Sequence, residues 1–392
     1  MIIGIPKEIL PEEARVAAIP ETVSKYIEMG FAVNVESSAG RGIGVEDNEY
    51  ANAGANIMPD AKVVFASSDI VLKVKQPYFN EALNLHEADL LPNNSTLITF
   101  LHPATPSNHD IIRKLRDKNI TSFTMDGIPR ISRAQRMDAL TSMSMITGYK
   151  AILLAADYMP KFIPMYGTAI GTIPPANILV IGTGVVGLQA IATGKRLGGV
   201  VKALDIRKEA CTQSQSLGAR ILEFDIPQEL AVGAGGYAKA LDETWLNKER
   251  HLIAPLLREM DIVILSALVP GEVSPILITG DMVGTMKYGS VIMDISIDQG
   301  GNCEITTPGQ VVQQGGVYIC GIQNIPGRVA VHASWLYAHN MYYYIENLCK
   351  NGIDKFDLND EIVNSSLVTN QGKIVHGGTL KAMNQLKQRI TI

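Results

Sequence analysis

Short apolar runs recur along the chain, and between them the apolar residues fall at helical spacing. Residues 2–5 (IIGI) are such a run and predict a strand. Residues 20–29 follow as a helix, with Pro20 at its start and Gly30 just past its end. Phe31, Val33 and Val35 then alternate with other residues, as a strand requires. Further strands are predicted over 70–75, 96–102 and 120–125, with a helix over 109–118 between the last two. This β-α-β rhythm predicts a parallel sheet covered by helices.

The second half repeats the rhythm. The spacing predicts a long helix over 134–159, then a Pro/Gly-rich segment, PMYGTAIGTIPPAN. Strands are predicted over 178–181, 200–205, 219–224, 262–266, 290–295 and 317–320. Six strands with intervening helices are the count of a complete dinucleotide fold. A long helix over 331–350 and a small hairpin over 367–375, turning at 370–372, close the chain. The expected organisation is α/β, with two domains. The first is built from 1–138 plus 326–392, with the C-terminal helix returning to it. The second, 139–325, is inserted into the first.

Composition narrows the function classes. A chain of 392 residues, 46% hydrophobic and 19% charged, can bury the cores of two domains. A net charge of −5 argues against a nucleic-acid surface. The four cysteines show no CxxC spacing and no paired histidine cluster, so neither a metal site nor a disulfide framework is expected. Reduced thiols suit the cytosol. The N-terminal MIIGIPKEI lacks the apolar core of a secretion signal. No uninterrupted apolar run reaches the ~18 residues of a membrane span, so any spans are expected on partner chains.

The most specific motif is Gly182-Thr183-Gly184-Val185-Val186-Gly187. It follows the 178–181 strand and opens a helix. Gly182 allows the tight turn, Gly184 lets backbone approach a pyrophosphate, and Gly187 lets helix pack on strand. The phosphates would then meet free N–H groups at the helix start. Asp205 ends the next strand, 23 residues after Gly182, followed by Ile206 and Arg207. A carboxylate there accepts the ribose hydroxyls of NAD and repels the extra phosphate of NADP. Arg207 can soften that selectivity. Both domains are therefore expected to be Rossmann-like, and the second to bind NAD(H).

The segment Pro129-RISRAQRMDALTSMSMITGYKA resembles the signature loop of proton-translocating NAD(P) transhydrogenases. In that family the loop belongs to the soluble NAD(H)-binding component, domain I, which is the first segment of the alpha subunit. The similarity extends through GTGVVGLQAIATGKRLG, AGGYAKAL, SALVPGEVSPILI, MDISIDQGGNCEITTPG and NIPGRVAVHAS. The chain is also similar to alanine dehydrogenases, relatives of that component. The resemblance implies that Arg130, Gln135 and Asp138 are the reactive loop. Arg130 and Asp138 would contact NAD(H) around the nicotinamide, and Gln135 would reach toward NADP(H) on a partner subunit. Their neighbours Ile131, Ser132, Arg133, Arg136 and Met137 belong to the same cofactor-binding loop. Thr141 stands where a serine is usual and keeps a hydroxyl for the carboxamide. Arg136 replaces a small residue and adds a positive charge. Ala267 and Leu268 would lie beside the adenosine half, and Gly235, Gly236 and Tyr237 would form a loop covering the nucleotide. Read without the resemblance, Arg130–Asp138 is equally a solvated helix start capped by Ser132.

The resemblance further implies a homodimer. It also implies membrane-embedded partners, the second alpha segment and the beta subunit, and a cytoplasmic, peripheral place at the inner membrane. The activity implied is hydride transfer between NADH and NADP+ coupled to proton translocation. The alternative is an NAD-dependent alanine dehydrogenase converting L-alanine to pyruvate. That reading takes Arg15 and Lys75 as cations for the substrate carboxylate, His102 as the acid/base, and Asp298 as the group positioning water or the nicotinamide side. A third reading is a non-catalytic NAD(H)-sensing module. Trp335 and Tyr342–Tyr344 are expected as core or dimer packing, and Cys303 as structural.

Overall fold

The computed structural model describes residues 1–233, 236–269 and 273–390, with side chains up to 384. It divides into two compact units, residues 1–143 with 327–392, and residues 144–326.

The first unit carries an eight-stranded sheet. Its order is Lys373–Ile374, Leu367–Asn370, Thr121–Thr124, Thr96–Phe100, Ile70–Lys75, Ile2–Ile5, Ala32–Glu36 and Asn56–Met58. The pairs are parallel except around Leu367–Asn370, which runs antiparallel to both neighbours. Ile70–Lys75 and Thr96–Phe100 are buried nearly throughout, as central parallel strands must be with both faces covered. The helix Ala330–Leu348 belongs to this unit. Its Ser334 hydroxyl accepts from the N–H of Val16 (3.1 Å), and the fully buried Tyr337 hydroxyl donates to the carbonyl of Lys73 (2.8 Å).

The second unit carries seven strands in the order Arg220–Ile221, Val200–Leu204, Asn177–Ile181, Ile262–Leu265, Val291–Asp294, Val317–Cys320 and Val311–Gln314. The first six are mutually parallel. Strand order reverses between Asn177–Ile181 and Ile262–Leu265, so the chain leaves the central strand at a crevice where such sheets bind ligands. The seventh strand, Val311–Gln314, is an edge strand that the pattern of apolar runs did not predict. It joins Val317–Cys320 through Gly315 and Gly316, both at positive φ, the requirement of a two-residue hairpin turn. The Pro/Gly-rich segment also holds a hairpin, Tyr166–Thr168 with Gly171–Ile173.

The helix expected over 134–159 is two elements. Ser132–Met137 is a 3-10 turn, and the α-helix runs Ala139–Tyr158. The break lies at Asp138, whose ψ of 80° is not helical. Ala139–Tyr158 has the length and apolar composition of a membrane span, but half of it is buried. Its Ala151, Ile152 and Ala155 pack into the core beneath the second sheet with Ile178, Val180 and Ile191.

Candidate functional site

In the second unit the strand Asn177–Ile181 delivers the chain to Gly182, at φ 82°. A Cβ there would stand 2.6 Å from the backbone nitrogen of Ala267, so the position admits only hydrogen. A Cβ on Gly187 would lie 2.1 Å from the carbonyl oxygen of Gly182, which fixes how closely the helix Val185–Arg196 seats on the strand. Gly184 differs, since a Cβ there meets nothing within 4 Å. It caps the helix without a side-chain bond, so the first-turn N–H groups keep their capacity for an anion. Open space over Gly184 beside uncapped helix donors fits a dinucleotide pyrophosphate.

Asp205, just past Val200–Leu204, is nearly completely buried. Its Oδ2 accepts from the N–H of Thr183 (2.7 Å) and the hydroxyl of Thr183 (3.2 Å). Arg207 adds a two-pronged grip, Nε to Oδ1 at 2.9 Å and Nη2 to Oδ2 at 2.8 Å. The carboxylate expected to await a ribose is thus already engaged. Arg207 also donates to the carbonyl of Gly236 (3.3 Å), tying Asp205 to the 231–239 segment, where Val232 and Ala238 form an antiparallel bridge. The Gly233 N–H donates to the carbonyl of Tyr237 at 2.7 Å. Gly235, expected in the covering loop, lies outside the described residues.

Ala267 is held from a distance. Asn302 accepts from its N–H and donates to its carbonyl, both at 3.0 Å. Asn302 is itself fixed by its own N–H to Asp294 (2.9 Å). Asn302 was not among the expected site residues, although the Gly-Gly-Asn-Cys-Glu stretch marks a turn. Burial pushes the adjacent Cys303 thiol up, in keeping with a structural role. Glu249, on the helix Glu243–Leu257, is 5% exposed. Burial and then the charge of Asp205 raise its carboxyl to about 7. Asp298 accepts from Gln323 (2.6 Å).

In the first unit the signature loop buries Ala134 and Met137 and exposes Arg130, Ser132, Arg133, Gln135 and Arg136. Asp138, not Ser132, caps the helix. Its Oδ1 accepts from the N–H of Thr141 (2.8 Å) and its Oδ2 from the Thr141 hydroxyl (2.6 Å). The Thr141 proton is therefore committed to Asp138, while its oxygen can still accept from a carboxamide N–H. The added charge of Arg136 lies over the Tyr343 ring, 3.5 Å from its centre.

The same unit holds three of the four dehydrogenase-type residues. Arg15 is buried and clamped by Glu13, Nε to Oε1 at 2.7 Å, while its Nη1 meets the sulfur of Met143 (3.1 Å). Burial alone would raise Glu13, but the Arg15 bonds outweigh it and lower its pKa. Beside Lys75, Glu8 accepts from the N–H of Val74 (2.6 Å) and forms an ion pair with the buried Lys73 (3.3 Å). His102, at φ 43°, stacks on Phe100, and its Nδ1 lies 3.2 Å from Oδ2 of Asp126. Burial would raise Asp126, but the neighbouring His102 outweighs it and holds the carboxyl at about 2. Asp126 was also missing from the expected residues. It lies 24 positions from His102, with no periodic signal linking the two.

Trp335 is 49% exposed, with its ring tilted against that of His339, so it is not a core residue, whereas Tyr344 is fully buried against Ser366. Among the described residues, no group of three or more His, Cys, Asp or Glu side chains could hold a metal ion.

Family models described as the N-terminal and C-terminal domains of alanine dehydrogenase/PNT match residues 4–147 and 151–377. The chain is 42% identical to the first segment of the NAD(P) transhydrogenase alpha subunit of Rhodospirillum rubrum, over 96% of this chain and 98% of that protein. It is 30% identical to the alanine dehydrogenase of Methanococcus maripaludis, over 97% and 96%. A crystal structure of transhydrogenase from Sinorhizobium meliloti superposes with a TM-score of 0.81 at 37% identity, covering 96% of this chain and 99% of that one.

Proposed function

The chain belongs to the alanine dehydrogenase/PNT family, and on that premise we propose that it is the NAD(H)-binding component of a proton-translocating transhydrogenase. The observation that carries the reading is the full-length similarity to the first segment of a transhydrogenase alpha subunit at 42% identity, against 30% for an alanine dehydrogenase.

NAD(H), when bound, supplies or receives a hydride at its nicotinamide ring. The contributions of the chain are binding and orientation. The turn at Gly182–Gly187 and the start of the helix Val185–Arg196 would hold the pyrophosphate. Asp205 would select the unphosphorylated ribose. Arg130 and Asp138 would orient the nicotinamide end, and Gln135 would face NADP(H) on a partner subunit. Positioning two rings in near-attack geometry, with water kept away, needs no acid or base on this chain. The chain would act as a homodimer at the cytoplasmic side of the inner membrane. The membrane spans and the proton path would lie on separate chains, the second alpha segment and the beta subunit.

One observation favours a second reading, an alanine dehydrogenase activity. The His102–Asp126 pair, with a histidine 41% exposed, has the form of an oriented acid/base. Against it, the Arg15 fork is already filled by Glu13.

The deciding experiment supplies the purified chain first with NAD+ and L-alanine, then with NADH, an NADP+ analogue and the partner subunits. The proposal expects no reduction of NAD+ by alanine and nucleotide-to-nucleotide transfer once the partners are present. Alanine-dependent reduction that is lost in His102→Ala would overturn it. NADH binding without transfer in the complete complex would point instead to a sensing module.

A further inference from the structure

On the helix Ala330–Leu348, Asn340, Tyr343 and Asn347 occupy positions i, i+3 and i+7, so they share one face. That face meets the signature loop. The Asn340 side-chain amide donates to the carbonyl of Arg136 at 2.8 Å. The guanidinium of Arg136 covers the ring of Tyr343 at 3.5 Å. Arg133 donates to Oδ1 of Asn347 (3.4 Å) and forms an ion pair with Asp360 (3.0 Å). Asp360 is in turn fixed by Lys350 (2.9 Å) and by capping the helix Glu361–Ser366 through the N–H of Ile362 (2.9 Å).

These contacts answer a physical need. Ser132–Met137 is a single 3-10 stretch, whose own hydrogen bonds are too poor to hold it. Ala134 and Met137 anchor it from below and Asp138 fixes its end. Gln135 is exposed between the buried Ala134 and the pinned Arg136. Tyr343 is not a core residue. The buried residues of its helix, Met341, Tyr344, Ile345 and Leu348 among them, pack inward, while Tyr343 is half-buried under Arg136.

We propose that Tyr343, assisted by Asn340, is a positioning residue for nucleotide-to-nucleotide transfer, holding the loop through Arg136 so that Gln135 is presented in one geometry. This rests on the reading of the loop given above. Tyr343 touches no nucleotide in this scheme. It acts through the loop, and transfer rates are sensitive to small misplacements.

The test compares Tyr343→Ala, Tyr343→Phe and Gln135→Ala in the full chain, with the partner subunits supplied for the rate measurement. Amide exchange over 132–137 is read on the chain alone. In Tyr343→Ala, exchange quickens and the rate at saturating nucleotide falls, each by about twofold to fivefold, the worth of an exposed cation–π contact. NADH affinity falls by less than the rate does, because the pyrophosphate turn at Gly182–Gly187 is untouched and only the loop's share of the nucleotide contacts is loosened. Tyr343→Phe keeps the ring and restores both exchange and rate. Asn340→Ala gives the same pattern as Tyr343→Ala from the adjacent turn. Unchanged exchange in Tyr343→Ala overturns the proposal. So does faster exchange with an unchanged rate, or a phenylalanine that restores neither. Loss of rate in Gln135→Ala but not in Tyr343→Ala sinks the positioning role alone. No loss in either sinks the reading of the loop as well.

Discussion

Arg207 grips Asp205 through two parallel hydrogen bonds, at 2.9 and 2.8 Å, two positions apart in the chain. A carboxylate offers about four lone-pair sites. Arg207 and Thr183 fill them with five recorded bonds, counting the Arg207 backbone N–H. A ribose diol must therefore displace part of the Arg207 grip, and Arg207 offsets part of the negative charge that would repel a 2′-phosphate.

Asp205→Ala leaves the Arg207 cation unpaired at the ribose end. The ratio of NADH to NADPH affinity is expected to fall about tenfold or more, the scale of one charged hydrogen bond. Arg207→Ala frees the carboxylate and shifts the ratio the other way. Nucleotide titrations on the two variants check this, and a shift in the same direction for both would contradict it.

The glycines of the turn separate binding from folding. Gly184→Ala meets open space, so its melting temperature should stay within about 2 °C of the parent. Its NADH affinity should nevertheless drop about tenfold or more, because the new methyl occupies the pyrophosphate approach. Gly187→Ala drives a methyl against the carbonyl of Gly182 and should cost about 1–3 kcal/mol of stability. Calorimetry beside a binding isotherm tests both. A destabilised Gly184→Ala with normal affinity would refute the assignment.

Gln135→Asn shortens the side chain aimed at the second nucleotide. The transfer rate is expected to fall about tenfold, while NADH affinity holds within about twofold. Stopped-flow rates with equilibrium binding on the same preparation decide the matter, and equal loss of both would falsify the role.

Glu249 makes stability depend on pH. Its carboxyl, raised from 4.5 to about 7 by burial and the Asp205 charge, keeps a proton in the folded state that the unfolded chain releases. Between pH 4.5 and 7 the folded state binds more protons, so this contribution falls as pH rises and then levels off above pH 7. Glu249→Gln is neutral throughout. It should match the parent near pH 4 and exceed it above pH 7 by roughly 3 kcal/mol, the energy of such a shift. Denaturant unfolding at several pH values measures the gap. A gap that does not widen over that window rules Glu249 out as the source.

Five of the six strands expected in the second unit stand within about one residue of their predicted ends, whereas the run over 219–224 shortens to Arg220–Ile221. Ile178–Ile181 and Val317–Cys320 are apolar runs bounded by turn residues, and Gly182, Gly184 and Gly187 stand where a strand must turn into a helix. The edge strand Val311–Gln314 carried a signal that apolar runs alone pass over, the Gly315-Gly316 pair of a tight hairpin. The break at Asp138 was hidden because apolar spacing continues through it. The non-helical ψ of Asp138 and its capping bond to Thr141 show that a new helix begins there.

The sequence by itself determined where backbone conformation is local. Period, turn residues and the absence of side chains at Gly182 and Gly187 act over a few positions, and they specify the nucleotide turn and the carboxylate beyond the next strand. Tertiary structure decided which groups share a site. Asn302 brackets Ala267 from 35 positions away, Asp126 meets His102 from 24, and Tyr343 supports Arg136 from more than 200. Such partnerships depend on how sheets and helices pack, and packing joins residues without regard to their distance along the chain.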